Sequence, residues 1–60
     1  MLPKDPVMLL SVINTRLRDS YSSFDLMCQE EDISEQEAEL IVRKLAGIGY
    51  DYDRELNKFV

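Results

Sequence analysis

The sequence predicts a mainly helical domain, a three-helix bundle followed by a C-terminal β-hairpin. Three observations carry this: apolar residues recur at helical spacing in two stretches, a serine-glutamate capping signal opens the third helix, and the period changes to strict alternation near the C-terminus. With 60 residues the chain is a single domain, and so short a domain buries only roughly 60% of the surface its unfolded form exposes. Each apolar contact therefore weighs heavily in its stability.

Helix one starts at Asp5-Pro6. An aspartate at the N-cap accepts hydrogen bonds from orphan amides, and proline suits the first helical position. Steps of about 100° per residue place Pro6, Leu9, Leu10, Ile13 and Leu17 on one face, the stripe that meets a core. Arg16 and Arg18 fall near the negative end of the helix dipole, and Asp19-Ser20-Tyr21-Ser22 ends the helix. Ser22 or Ser23 caps a shorter second helix reaching Glu31, with Phe24, Met27 and Cys28 inward. Its last residues, Glu30, Glu31 and Asp32, set carboxylates at a negative dipole end, which predicts an early, frayed finish.

Residues 32–45, DISEQEAELIVRKL, supply the best-marked boundary. Ser34 and Glu37 form an S-x-x-E capping box, and Ile33 can staple to Ala38. Ala38, Ile41, Val42 and Leu45 then define the core face of helix three, which Gly47 or, as the second choice, Gly49 closes through a left-handed cap. In the tail, IGYDYDRELNKFV, Tyr50 and Tyr52 alternate with Asp51 and Asp53, and Phe59-Val60 return after a polar turn from Arg54 to Asn57. A two-stranded ribbon is marginal alone, so its aromatic face must pack on the helices, with residues near Leu2 available as a third strand.

This layout is that of a small winged helix-turn-helix, with Asp32 standing where a turn glycine is common. Any tri-helical bundle with short loops needs similar spacing, so the motif speaks to shape more than to function. Seven basic and twelve acidic side chains give a net charge of −5. That charge opposes binding to nucleic acid and anionic lipid. The helix that would read DNA opens with Glu35, Gln36, Glu37 and Glu39, and three carboxylates there repel phosphate and remove the counterion-release drive. DNA association is thus the alternative reading, requiring a partner chain to supply the basic surface.

Catalysis finds little support. The chain has no histidine, no motif marks a perturbed carboxylate or lysine as a base, and Cys28 reads as an inert buried thiol rather than a nucleophile. Asp51-x-Asp53-x-Glu55 imitates the start of a calcium loop, but Leu56 replaces the required glycine and no bidentate glutamate follows. The three tyrosines, Tyr21, Tyr50 and Tyr52, could stack on single-stranded nucleic acid, yet the flanking aspartates favour packing. No metal or cofactor is expected.

A single cysteine cannot form an internal disulfide, which suits a reducing cytosol. Met1 is followed by Leu2-Pro3-Lys4-Asp5, without a cleavable apolar leader or a bilayer-spanning run, so the chain reads as soluble and complete, with no membrane partner. What remains is contact with other proteins. Met8 and Val12 lie off the core stripe of helix one, and Leu40 lies about 160° from that of helix three, which makes them candidates for a protein or homodimer contact. The bland alternative is that the hairpin or the N-terminal residues cover them.

The stretches LPKDP, LLSVINTRLRDSYSSFD, IGYDYD and LNKFV resemble the family of short bacterial proteins labelled domain of unknown function 4250. The likeness covers nearly the whole chain and is most specific in PKDP, N-x-x-LRD-x-Y-x-S and IGY-x-Y. It implies a bacterial, cytoplasmic single-domain protein and carries over no activity and no site residues. It also draws attention to Asn14, Arg16 or its neighbour, Leu17, Arg18, Asp19 and Tyr21. In the structural reading Arg18 and Asp19 tie helix one to the hairpin by ion pairs while Tyr21 packs under the turn. In the functional reading Asn14 and Arg18, on one helical face, form a small polar contact surface for a partner. The structural reading is preferred, because small domains often fix loop geometry with such groups.

Overall fold

The computed structural model describes residues 2–60, and within them three helices precede a two-stranded antiparallel hairpin. Helix α1 spans Pro6–Asp19. Asp5 caps it as its sequence requires, accepting from the Val7 N–H, and Pro6 occupies the first turn where no amide partner is needed. Helix α2 spans Phe24–Glu30, capped by Ser23 through the Leu26 N–H at 3.1 Å. Helix α3 spans Glu35–Gly47, where the Ser34 Oγ accepts from the Glu37 N–H at 3.1 Å. The capping box is realised differently from the expected form, since the Glu37 carboxylate accepts from the Ser34 hydroxyl. Strands β1 (Tyr52–Asp53) and β2 (Lys58–Phe59) pair Tyr52 with Phe59 and Asp53 with Lys58.

Two left-handed closures set the helix ends. After α3, Gly49 (φ 88°) takes the left-handed position, with Gly49 N–H donating to Ala46 O and Tyr50 N–H to Leu45 O. This double closure places the stop at Gly49 rather than Gly47, because the helix runs through Gly47 and the reversal falls two residues further on. After α2, the same pattern is built on Asp32 (φ 55°), with Asp32 N–H reaching Gln29 O and Ile33 N–H reaching Cys28 O at 2.8 Å. An aspartate therefore holds the conformation that costs glycine least. The helix stops at Glu30, one residue short of the expected Glu31, and its end is tied down: the closure engages carbonyls of the last turn, and Glu31 is held by Arg16 and by the Tyr21 hydroxyl.

The core draws on every helix and on the last strand: Leu9, Ile13 and Leu17 from α1, Phe24, Met27 and Cys28 from α2, Ile41 and Leu45 from α3, and Phe59 from β2. Phe59 is 1% exposed and meets Phe24 edge to face, with ring centroids 5.3 Å apart, while Tyr52 completes the aromatic triangle. Such geometries add to simple area burial. Val42, expected on the core face, is 39% exposed; Ile41 and Leu45 alone on α3 are buried, because α1 meets a narrower stripe of α3. Tyr50 lies outside β1 and is exposed, since it belongs to the α3 closure.

Beyond the two strands, Asp51 and Val60 exchange both backbone hydrogen bonds at 2.9 Å. Antiparallel pairs alternate, so the next pair, Tyr52 and Phe59, does not exchange bonds and turns its N–H and C=O groups outward. On the β2 side those groups meet Asn14. Its Nδ2 donates to Phe59 O at 3.0 Å, and Phe59 N–H donates to its Oδ1 at 2.8 Å. The side-chain amide thus stands where a third strand would pair. Leu2 packs against the core instead of extending the sheet. The likeness to a winged helix-turn-helix is loose: each strand has two residues, and the hairpin is drawn into the core through Phe59.

No helix among the described residues is long and apolar enough to cross a membrane.

Candidate functional site

Packing β2 against α1 leaves an open groove of about 550 Å³ between them. Ser11, Asn14, Thr15 and Arg18 line it from α1, one helical flank by their i, i+3, i+4 and i+7 spacing. Leu56, Asn57 and Lys58 line it from the hairpin turn and β2. Its size falls in the roughly 300–1,000 Å³ range of ligand clefts.

Two asparagines build the groove rather than serve it. Asn14 is occupied by both backbone groups of Phe59. Asn57, at φ 53°, donates through Nδ2 to Leu17 O (3.1 Å) and Tyr21 O (2.9 Å), and its Oδ1 accepts from the Tyr52 hydroxyl at 2.7 Å. The same hydroxyl accepts from the Phe24 N–H. Asn57 therefore ties the hairpin to a carbonyl in the last turn of α1, which has no helical partner, and to the α1–α2 connection. The turn itself is set by Asp53, whose Oδ1 accepts from the N–H groups of Glu55 and Leu56, an Asx turn in place of the calcium-loop imitation.

The groups left facing the groove are cationic and hydroxylic. Arg18 directs Nε and one terminal nitrogen at Asp19, 2.8 and 3.1 Å away, with both side chains largely exposed. That hydrogen bond, foremost, raises the Arg18 guanidinium further and lowers the Asp19 carboxyl. The pair therefore closes on itself and does not tie α1 to the hairpin. The tie comes from Asn14 and Asn57, whose amides can reach backbone groups that an ion pair would leave unpaired. Lys58 has no carboxylate within ion-pairing distance among the described residues.

Of the residues singled out in the sequence, Asn14 and Arg18 share this groove, while the others lie elsewhere. Leu40, 56% exposed, lines a smaller groove with Leu2, Pro3, Leu9 and Lys44, so the N-terminal segment partly covers it. Met8 is 58% exposed and lines neither groove, and Val12 is half-buried. Ser11, Thr15, Leu56 and Lys58 were not foreseen. The α1 residues were readable by spacing from Asn14, but the hairpin residues required knowing which strand docks on α1.

Elsewhere, Tyr21 donates to Glu31 Oε2 at 2.9 Å beside the Arg16–Glu31 ion pair, and this hydrogen bond above all raises the phenol. Tyr21 therefore closes the α1–α2 connection onto the end of α2 through its hydroxyl, while its carbonyl accepts from Asn57 of the hairpin turn. Burial first, then Asp25 and Glu31, push the Cys28 thiol up, which keeps it protonated and poorly nucleophilic at neutral pH.

Residues 3–59 match the family profile described as Domain of unknown function (DUF4250). No curated protein and no solved structure matches the chain.

Proposed function

The chain belongs to the DUF4250 family, and from that premise we propose that it is a non-catalytic protein-interaction module whose contact face is the groove between α1 and the hairpin. The observation that carries this reading is the make-up of the groove. Its two asparagine amides bind backbone groups, its other polar groups are Lys58, which has no ion-pair partner among the described residues, Arg18, which is shared with Asp19, and the hydroxyls of Ser11 and Thr15, and Leu56 stands 59% exposed on its rim. A rigid frame with free donors and an apolar edge is suited to binding without reaction. The protonated, buried Cys28 supports the non-catalytic part, and its free thiol fits a reducing bacterial cytosol.

A DNA-associated regulator is less well supported, because Glu35, Gln36, Glu37 and Glu39 are all exposed on the first turns of α3. Photo-crosslinking tests the reading. A crosslinking amino acid at Ser11 is expected to capture a protein in cells, while one at Glu39 captures none. Capture from Glu39 alone overturns the assignment of the face. Sedimentation across a concentration series separates a second copy from a different partner. Retardation of random duplex DNA at physiological salt favours the regulator.

A further inference from the structure

The groove stands out by charge. The chain carries −5 overall, and four other grooves each include at least one carboxylate: Glu37; Asp51, Asp53 and Glu55; Glu31, Asp32 and Glu37; or Asp25 and Glu35. The lining between α1 and the hairpin has none and contributes Arg18 and Lys58. We propose that this groove takes a short acidic peptide segment of a partner protein, an inference that rests on the interaction-module reading above.

Three properties select that occupant. First, with Asn57 consumed and Asn14 bound to both backbone groups of Phe59, the groups without a partner among the described residues are the Lys58 ammonium, the second terminal nitrogen of Arg18, one N–H of Asn14 and the hydroxyls of Ser11 and Thr15. Ammonium and guanidinium only donate, so their complement is acceptor-rich, and carboxylates give the strongest such bonds. Second, two cations are too few for an extended polyanion. Nucleic-acid binders draw affinity from roughly 6–10 phosphate contacts, and this chain's net charge works against every phosphate beyond the groove. One or two carboxylates fall within reach of the local cations, where screening over roughly 8–10 Å reduces the rest of the field. Third, exposed Leu56 offers an apolar contact at the edge, which a peptide side chain can use and a bare anion cannot.

Asp19 gives the inference a distinctive test. It holds Arg18 from outside the lining, competing with an incoming carboxylate. The full chain is titrated with a capped octapeptide alternating Leu with Asp or Glu, followed by amide chemical shifts, with a Lys-for-acid peptide, inorganic phosphate and random duplex DNA as controls. Saturable shifts are expected at Ser11, Thr15, Arg18 and residues 56–58. Affinity is expected to fall at least tenfold in K58E and in R18E, and to rise severalfold in D19N. It should also weaken between 50 and 300 mM salt. Amide dispersion reports the fold of each variant, and if R18E unfolds, K58E and D19N decide. The proposal is overturned by no saturation, by shifts centred elsewhere, by equal binding of the basic peptide, phosphate or DNA, or by unchanged affinity in K58E and D19N. If the acidic peptide fails while crosslinking from Ser11 still captures a protein, the contact face stands and its acidic preference falls. If both fail, the interaction-module reading falls with it.

Discussion

The side-chain amide of Asn14 binds both backbone groups of Phe59, donating to its carbonyl at 3.0 Å and accepting from its N–H at 2.8 Å across 45 positions of sequence. One residue of α1 thereby closes the outer edge of β2, an edge that would otherwise present unpaired groups. Asn14→Ala leaves both unpaired beside the core and is expected to destabilise by about 2 kcal/mol, since an unsatisfied buried partner costs roughly 1–3 kcal/mol. At roughly 4–8 °C per kcal/mol for a domain of this size, thermal melts should shift downward by about 10 °C. Asn14→Asp keeps the acceptor and loses the donor, and should cost at least half as much. A melting point unchanged in both variants would show that the edge does not need its clasp.

Asn57 serves twice, by conformation and by side chain, and two substitutions separate the roles. Glycine keeps the left-handed turn and loses the bonds to Leu17, Tyr21 and Tyr52, whereas alanine loses both. Asn57→Ala is expected to be less stable than Asn57→Gly by about 1 kcal/mol, the usual penalty for a side chain in this region. Both should unfold at lower urea than the parent, and equal midpoints would mean that the turn conformation contributes nothing.

Asp32 is a place where stability can be gained. It sits at φ 55° next to the carbonyl end of α2, where both backbone strain and a negative charge are unfavourable. Asp32→Gly relieves both and should raise stability by about 0.5–1 kcal/mol, while Gly49→Ala, at φ 88°, should lower it by a comparable amount. Chemical denaturation of the pair checks the opposite signs. A loss in Asp32→Gly would mean that the carboxylate makes a contribution its geometry does not suggest.

The fold should weaken in alkali. The Cys28 thiol and the Tyr21 phenol are both raised in the folded state, from ordinary values of 9.0 and 10.0. Their neutral forms are thus preferred by the fold, and the stability this represents is complete below those ordinary values. It is lost as pH climbs through the folded ones, because the unfolded chain deprotonates first. Urea midpoints are expected to decline from about pH 9, with Cys28→Ala flattening the earlier part and Tyr21→Phe the later. Profiles identical to the parent in both variants would place the alkaline sensitivity elsewhere.

The caps at Asp5, Ser23 and Ser34 were legible because a cap is a local transaction within four residues. The same locality exposed the shared flank of Asn14 and Arg18, half of the groove. What eluded the sequence depends on partners far along the chain. The exposure of Val42 follows from how wide a stripe of α3 meets α1, and the choice between Gly47 and Gly49 turns on two further residues of helix before the reversal. The hairpin's half of the groove is set by Asn14 and Asn57, whose reach of 36 to 45 positions no periodicity records.

The burial of Phe59 bears on how the molecule opens. The ribbon has too few backbone bonds to persist by itself, and the helices without it would leave Phe24 facing water, so neither portion is a stable fragment of the other. Opening is therefore all or nothing. The Phe59 amide, although one position from the end of the sequence, should exchange its hydrogen with solvent as slowly as those in the middle of α1, through global unfolding rather than the fraying usual for such a position.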